Sequence, residues 1–418
     1  MTSDITPQDA VVLSRLIPLV VGGTATTRPA LEVATGLGRR VVSDRIRQAM
    51  DAGILEDAGI AAVERGRAPR LLRLAEGTAV ILAAHLGRES AVAVCDLGGR
   101  ILRTESLAAT LEDGPQAVIA EVVDGFERVL RKTANRTVWG IGIAVPGPVD
   151  VASHRLVQPA SMPGWDDVDV RNLLRASFDA PIWVENDANV MALAEYRTAP
   201  APDRDLLYVK VGTSIGSGMI SGGRIHRGAG GAAGEIGHVR ARSGEERLCR
   251  CGLVGCLETV AAGWAIVERL TERAPAESTF LSDILRTRPL QIDDVIGAID
   301  ADDALTLSVV DRAATEVAEA VADIVNFANP GTVVLGGGAT RLRGRYFSTF
   351  ESSLPTRIVP LAARSMTVRA ASLDFREGLI GAALLASDHL FARDALLTWL
   401  PHGSPSGQAT RLHRLTAA

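Results

Sequence analysis

Residues 234–258, which run from G-E-I-G-H (Gly234–His238) to C-R-C-G-L-V-G-C-L-E (Cys249–Glu258), carry the most specific pattern in the chain. This stretch contains three of the four cysteines and one histidine, namely His238, Cys249, Cys251 and Cys256. Three thiolates and one imidazole complete the tetrahedral shell of a zinc ion and leave no open position for a catalytic water. Gly252 and Gly255 allow the sharp backbone turn that brings the last two cysteines onto one ion. The pattern therefore predicts a closed, structural zinc site.

Two alternatives remain for these cysteines. They could be buried free thiols, which their clustering within eight residues disfavours. They could also form a disulfide, which the lack of a secretory-type N-terminus disfavours. Glu235 and Glu258 flank the cluster. A zinc ion would hold these two carboxylates at fixed places, where they could accept hydrogen bonds from sugar hydroxyl groups.

The composition is that of a globular protein. Of the 418 residues, 47% are hydrophobic and 22% are charged, and the net charge is −5. A chain of this length predicts two or three domains. No apolar run reaches the roughly 20 residues needed to cross a bilayer, and no charged-then-apolar leader opens the sequence. We therefore expect a cytoplasmic protein.

Residues 1–75 have the pattern of a helix-turn-helix module. A first helix is expected over Pro7–Val21, with Pro18 bending or ending it. Thr27 and Pro29 suit the start of a second helix, which a short glycine-containing turn separates from a third helix over Arg39–Ala52. The third helix has an apolar stripe on one face and an arginine-rich face opposite, as expected of a helix that enters the major groove of DNA.

Two short apolar runs could complete this module as a wing. Ile54–Leu55 and Leu71–Leu74 are expected to pair as strands on either side of the basic loop Gly66–Arg70. The expected DNA-contacting residues are Arg28, Arg39, Arg40, Ser43, Arg45, Arg47 and Arg67. The alternative is a small helical domain whose arginine face is only solvated.

From Thr78 onward, apolar runs alternate with helical patterns, which predicts an α/β fold with a largely buried sheet. Strands are expected at Ala79–Ala84, Ala91–Cys95 and Val138–Val145, with a helix over Gln116–Thr133. A long helix is expected over Asp302–Ala328, after a less regular segment, Ala274–Asp303. The Gly-, Ser-, Pro- and Arg-rich residues 401–418 are expected to be a disordered tail.

The cysteine-rich stretch resembles the ROK family (repressors, open reading frames and sugar kinases). The family signature E-x-G-H…C-x-C-G-x-x-G-C-x-E is matched at each of its positions from Glu235 to Glu258, and P-G-P-V-D (Pro146–Asp150) and E-N-D-A-N (Glu185–Asn189) match further family motifs. The resemblance implies a two-lobed α/β fold of the sugar-kinase type, shared with actin and hexokinase, over residues 76–400. It also implies a winged helix-turn-helix over residues 1–75, as in the repressor branch of the family.

The resemblance also implies roles for individual residues. In the family's kinases the Asp of E-N-D-A-N is the general base that takes the proton of the sugar hydroxyl, and Asp187 stands at that position. His238 would bind zinc through one ring nitrogen and face a sugar hydroxyl with the other. The implied sugar-binding residues are Asn186, Asp187, Glu235, His238 and Glu258.

The first phosphate-binding turn departs from the family pattern. The kinases have D-x-G-G-T after the first strand, where the glycines let the backbone approach the ATP phosphates and the Asp helps to position Mg²⁺. The segment at this place is His85-Leu86-Gly87-Arg88-Glu89. Arg88 is bulky where the backbone should come close, and Glu89 would repel a polyphosphate. ATP and Mg²⁺ are therefore not expected as cofactors, although Val211–Gly218 and Pro330–Gly338 keep most of the family's other glycines.

These patterns together predict a sugar-responsive transcriptional regulator, a repressor of carbohydrate-utilisation genes. It would bind a double-stranded DNA operator as a homodimer or homotetramer, and a sugar or sugar phosphate in the kinase-like cleft. One alternative is an active ATP-dependent, glucokinase-like sugar kinase with an appended DNA-binding domain. Another is a regulator that works through a protein partner and has a vestigial sugar pocket.

Overall fold

Two five-stranded sheets, each in a unit of its own, organise the chain. The computed structural model describes residues 5–60, 68–75, 77, 79–133, 136–199, 205–342 and 344–415. The first unit comprises Met1–Val157, Met162–Val190 and Gly378–Ala418, and the second comprises Gln158–Ser161 and Met191–Glu377. None of the helices in these described ranges is long and apolar enough to cross a membrane.

The first unit begins with three helices and a two-stranded antiparallel sheet: α1 (Pro7–Val21), α2 (Arg28–Thr35), α3 (Arg39–Asp51), β1 (Leu55–Ile60) and β2 (Arg70–Leu74). Thr27 caps α2 as the sequence predicts, since its side chain accepts a hydrogen bond from the backbone N–H of Ala30. Leu55 pairs with Leu74, which confirms the expected strand pairing. The tip between these strands, residues 61–67, lies outside the described residues.

α1 spans Pro7–Val21 as predicted and continues past Pro18, so the alternative that Pro18 ends the helix is wrong. Pro18 falls in the last turn, where its missing N–H removes only one intrahelical hydrogen bond. Leu16, Ile17 and Val20 on either side of it are buried. Their packing holds the last turn in place.

The first sheet contains β3 (Ala79–His85), β4 (Ala91–Cys95), β5 (Ile101–Ser106), β6 (Thr137–Val145) and β7 (Ile182–Asn186) in the order β5-β4-β3-β6-β7. β3 is antiparallel to β4 and parallel to β6, and β6 is parallel to β7. The helices in this part of the chain are α4 (Pro115–Arg131), α5 (Val170–Leu174) and α6 (Asp187–Thr198). β7 runs directly into α6, so the residues at this junction are held by both elements.

The second sheet contains β8 (Leu206–Val211), β9 (Ile215–Ser221), β10 (Arg224–Ile225), β11 (Thr332–Gly336) and β12 (Thr367–Ala370) in the order β10-β9-β8-β11-β12. Its helices are α7 (Glu258–Ala261), α8 (Gly263–Glu277), α9 (Thr279–Leu285), α10 (Ile292–Asp300), α11 (Ala304–Ala328), α12 (Arg345–Ser353) and α13 (Pro360–Ser365). The long helix is therefore confirmed as α11, whereas the segment expected to be irregular contains α9 and α10.

The chain ends in three helices, α14 (Glu377–Leu390), α15 (Arg393–Trp399) and α16 (Ala409–Leu415). α14 approaches β6 so closely that a Cβ on Gly142 would lie 1.9 Å from the backbone oxygen of Ala382, so only glycine fits there. The expectation of a disordered tail is wrong for residues 401–415. Ala409 and Leu412 are buried, and this apolar face holds α16 against the first unit despite the polar composition of the segment.

Candidate functional site

The four predicted metal ligands lie together in the second unit. The ligand atoms of His238, Cys249, Cys251 and Cys256 are all within 4.8 Å of one another. Nδ1 of His238 is 3.7 Å from Sγ of Cys249, and Sγ of Cys251 is 3.8 Å from Sγ of Cys256. Two sulfurs that each lie about 2.3 Å from a central ion in tetrahedral geometry are about 3.8 Å apart. The spacing of the donor set therefore fits a zinc ion.

Short backbone pairings position these ligands. Arg240 pairs with Cys256 as an isolated bridge, and the backbone N–H of Cys249 donates to the carbonyl of Leu253 at 2.7 Å. Gly252 has φ 89°, a left-handed conformation that favours glycine and closes the predicted turn. Cys249 and Cys256 are buried, whereas Cys251 is exposed. The loop thus presents two sulfurs from inside and one from the surface.

The protein by itself does not favour thiolates at this cluster. Burial, together with the neighbouring thiols of Cys249 and Cys251, raises the pKa of Cys256 to about 12. A bound divalent cation reverses this balance, because its charge stabilises the deprotonated sulfur. The thiolate form of these cysteines would therefore depend on bound metal, and metal binding would require the thiols to lose their protons.

Ion pairs fasten the cysteine-rich loop to two helices of the second unit. Glu245 pairs with Arg269 of α8 and with Arg312 of α11. Arg242 pairs with Asp323 of α11 at 2.6 Å. These ion pairs hold the loop against α8 and α11.

The two glutamates that flank the cluster differ in their surroundings. Glu258 is buried, and its carboxylate accepts hydrogen bonds from the backbone N–H of Ile215 at 3.1 Å and from the indole N–H of Trp264 at 3.4 Å. Oε2 of Glu235 lies 3.8 Å from Nε2 of His238, whose other nitrogen faces Cys249. Nδ1 of His238 thus lies on the side of the candidate metal ligands and Nε2 on the side of the Glu235 carboxylate, and the sugar contact of His238 stays a prediction.

Asn186 and Asp187 lie in the first unit, at the junction of β7 and α6. Oδ1 of Asn186 accepts a hydrogen bond from the N–H of Ala188 at 2.9 Å, and Nδ2 donates to the carbonyl of Gly147 at 3.2 Å. Asn186 therefore has a structural role in starting α6, which the sequence prediction of a sugar contact did not include.

Asp187 is buried, and His85 is its neighbour. Nε2 of His85 lies 3.9 Å from Oδ2 of Asp187. A Cβ on Gly378 would come within 2.6 Å of the His85 ring, so the ring fills the space over that glycine. The sequence showed that His85 replaces the kinase Asp, but the contact with Asp187 could not be found from sequence spacing.

The glycine-rich turns behave differently in the two units. In the first unit, the N–H of Gly87 donates to the hydroxyl of Ser90, which closes the turn on itself, and the adjacent Arg88 and Glu89 are exposed. In the second unit, a Cβ on Gly212 would lie 3.7 Å from the backbone nitrogen of Gly338, so the two remaining turns face each other closely. These two turns of the second unit therefore lie next to each other.

Four of the predicted DNA-contacting residues lie on the open face of α3. The side chain of Arg40 is 96% exposed and that of Arg47 is 69% exposed, and Asp44 lies between them at 3.9 and 3.4 Å. Arg39 is also exposed, and Ser43 is half-buried. Three of these four side chains are arginines, so the exposed face of α3 is basic apart from Asp44.

The other predicted DNA-contacting residues are placed differently. Arg45 makes a 2.6 Å ion pair with Asp9, and Arg28 lies 3.9 Å from Asp57. Both arginine side chains are less than a third exposed, so they join elements of the module rather than face outward. Arg67 lies outside the described residues.

Two five-stranded α/β sheets, glycine-rich turns and a cluster of one histidine and three cysteines define the class of sugar-kinase-like proteins. The chain belongs to the ROK family, whose sequence profile matches residues 83–389. The glucokinase of Halalkalibacterium halodurans is 30% identical over 292 residues, which are 69% of this chain and 88% of the glucokinase.

Two further relatives extend over more of the chain. The xylose repressor of Bacillus subtilis is 23% identical over 378 residues, which are 90% of this chain and 94% of the repressor. The crystal structure of a ROK family transcriptional regulator, a homologue of the E. coli MLC protein, has a TM-score of 0.77 at 22% identity and covers 95% of this chain and 100% of that one. The predicted sugar-kinase-like fold is thereby confirmed.

Proposed function

We propose that this chain is a transcriptional repressor of carbohydrate-utilisation genes whose affinity for DNA responds to a sugar or sugar phosphate. The observation that carries the proposal is the joining of a helical module with an exposed arginine face to a ROK domain with an altered first phosphate-binding turn. The repressor relative matches 90% of the chain, whereas the glucokinase relative matches 69%. A repressor function therefore accounts for more of the chain than a kinase function does.

The DNA-binding part is the N-terminal module, as a winged helix-turn-helix. α3 would enter the major groove with Arg39, Arg40, Ser43 and Arg47 toward the DNA, and the loop that contains Arg67 would act as the wing. Arg45 and Arg28 are left out of this set because they pair with Asp9 and Asp57.

The sugar-binding residues in this proposal are Asp187, Glu235, His238 and Glu258, with Asn186 supporting Asp187 from the start of α6. Zinc would be held by His238, Cys249, Cys251 and Cys256. Bound there, the ion would supply no catalysis, since all four positions of its shell are filled by protein. It would fix the side chain of His238, whose second ring nitrogen can then meet a sugar hydroxyl.

The proposed mechanism is a shift between two arrangements of the chain. A sugar that binds one arrangement more tightly than the other changes their populations by its differential affinity. In a homodimer or homotetramer this shift would change the spacing of two DNA-binding modules. Spacing decides whether both modules can occupy two half-sites at the same time.

The test is a gel-shift titration of the purified full-length protein on the DNA upstream of its own gene and of the neighbouring genes. Each fragment is titrated alone and with D-glucose, D-xylose, and their phosphates. The expected result is saturable binding to one fragment that one of these sugars changes at least tenfold. A folded, metal-loaded protein that binds none of the fragments would contradict the proposal.

The second candidate function is an ATP-dependent sugar kinase. The observation that favours it is the retained Asp187 together with the close pairing of the turns at Gly212 and Gly338. His85, Arg88 and Glu89 oppose it, because the first turn offers a bulky cation and an extra carboxylate to the phosphates. Sugar-dependent ADP formation that Asp187→Ala abolishes would establish this activity.

A further inference from the structure

The C-terminal helix closes an edge of the first sheet. β7 is the outermost strand of that sheet, and Nε2 of His413 accepts a hydrogen bond from the N–H of Ile182, its first residue, at 2.7 Å. Ala409 and Leu412 bury the apolar face of α16. An uncovered edge strand presents backbone groups that need partners. Here α16 provides one such partner, because the His413 side chain accepts the hydrogen bond of the Ile182 N–H.

His413 is suited to accept this hydrogen bond because it is held in its neutral form. Burial lowers its pKa to about 4, and the positive charges of Arg171, His154 and Arg175 act in the same direction. Asp169 opposes them with a smaller effect. At neutral pH the ring therefore keeps the lone pair that the Ile182 N–H requires.

The same segment of chain reaches the N-terminal module. α15 packs against α1, and its Trp399 is fully buried. The Trp399 ring lies 5.0 Å from the ring of Trp139 in β6, and its indole N–H donates to the carbonyl of Leu390 at 2.8 Å. The segment Arg393–Leu415 therefore contacts the sheet at one end and the first helix of the proposed DNA-binding module at the other.

We infer that Arg393–Leu415 couples the strand that leads to Asn186 and Asp187 to the DNA-binding module, and that His413 is the positioning residue of this link. The inference rests on the proposed function and deepens it by naming a path for the sugar signal. β7 is only five residues long, from Ile182 to Asn186. We therefore expect a shift of Asp187 on sugar binding to pass along this short strand to the backbone N–H of Ile182 that His413 holds.

The first test needs no identified ligand and uses hydrogen–deuterium exchange on the full-length protein. His413→Ala is compared with His413→Gln, whose amide oxygen can accept the same hydrogen bond. The matched control is His402→Ala, an exposed histidine earlier in the same C-terminal segment. Circular dichroism first confirms that each variant is folded.

In His413→Ala, hydrogen–deuterium exchange is expected to be at least about threefold faster than in wild type, both in residues 182–190 and in α1. His413→Gln should restore slow exchange, and His402→Ala should leave both regions unchanged. Faster exchange confined to residues 405–415 would overturn the inference. In that case His413 would stabilise only its own segment and would not influence β7 or α1. If His413→Ala does not fold, Leu412→Ala, which loosens the buried face of the same helix, takes its place and is expected to speed exchange at both regions.

The second test measures coupling on the operator fragment and with the sugar identified by gel shift. We expect the affinities of His413→Ala for DNA and for sugar to lie within about threefold of those of wild type. The variant should nevertheless lose most of the sugar-induced change in DNA affinity. A full sugar response in that variant overturns the link and leaves the proposed function standing. Failure of wild type itself to bind DNA would instead contradict the proposed function.

Discussion

At the scale of single residues, Arg40 and Arg45 lie on the same helix but in different surroundings. Arg40 is 96% exposed, and Arg45 is paired with Asp9 at 2.6 Å. Arg40→Ala is expected to weaken DNA binding at least tenfold and to lower its salt dependence, because a phosphate or base contact is lost. Fluorescence anisotropy with the operator fragment at several salt concentrations measures both effects.

Arg45→Ala is the matched comparison on the same helix. Loss of its partly buried pair with Asp9 is expected to cost about 1 kcal/mol in the free energy of unfolding, while the DNA affinity of the folded protein changes less than for Arg40→Ala. Denaturant unfolding separates the two variants. A larger loss of DNA affinity in Arg45→Ala than in Arg40→Ala would refute the assignment of the two side chains.

The four cysteines offer a second comparison at this scale. Cys256→Ser is expected to abolish binding of one zinc ion per chain and to lower the melting temperature, since the structural ion contributes to folding. Cys95→Ser should keep the zinc, because Cys95 is a buried residue of β4 far from the cluster in sequence. Metal analysis of the purified variants gives the result. Full zinc content in Cys256→Ser would disprove the ligand assignment.

Residue types and spacing made the cluster of candidate metal ligands predictable, because zinc ligands come from a short list of residue types and three of these residues lie within eight positions. The pairs Arg45–Asp9 and His85–Asp187 could not be predicted in this way. The members of these pairs are 36 and 102 positions apart in the sequence, and only the packed fold brings them together. Long-range contacts between common residue types leave no local pattern.

At the scale of elements, α16 makes stability depend on pH. The pKa of His413 is lowered from the ordinary value of 6.5 to about 4, so between these values the unfolded chain binds more protons than the folded one. The free energy of unfolding is therefore expected to fall as the pH drops from about 6.5 to about 4, and this contribution is fully present above pH 6.5. The pKa of His154 is also lowered by burial and acts in the same direction.

Urea titrations at half-unit pH steps measure this dependence. His413→Gln, which cannot take up a proton, should show a smaller loss of stability over that range than wild type. His402→Ala, which removes an exposed histidine of the same segment, serves as the control. Equal slopes for wild type and His413→Gln would rule out His413 as the cause.

Sequence patterns predicted the elements that their own residues specify. The strands at residues 79–84, 91–95 and 138–145 are apolar because they are buried in a sheet, and the structure confirms them with end shifts of one residue. The possible end of α1 at Pro18 and the expected disorder of the tail were wrong for a common reason. Pro18 and the polar tail weaken a helix locally, but burial of Leu16, Ile17 and Leu412 outweighs that weakness.

At the scale of the whole molecule, the altered phosphate turn leads us to expect no kinase activity. With ATP, Mg²⁺ and D-glucose, the wild-type chain is expected to form ADP no faster than its Asp187→Ala variant. A coupled assay with a glucokinase as the positive control measures this. Sugar-dependent turnover above the Asp187→Ala background would overturn the expectation and favour the second candidate function.

The fold of the whole molecule was predictable only through the family resemblance. Alternating apolar and helical patterns indicated an α/β class, but they did not indicate two sheets or their strand orders. In the structure Arg88 and Glu89 are exposed and a hydrogen bond joins Gly87 to Ser90, while the loss of the phosphate site stays a prediction. How the C-terminal helices join the first unit was not visible in any motif, because their contacts lie far away in the sequence.

The covering of β7 by the last helix bears on the solubility of the purified protein. Its strand residues, Ile182, Trp183 and Val184, are rich in β-forming and apolar side chains. Proteolytic removal of residues beyond Gly407 would expose the edge of this strand. Exposed edge strands can pair with those of other molecules. Trimmed protein is therefore expected to aggregate under conditions where the intact chain stays dispersed, which light scattering during a carboxypeptidase digestion would show.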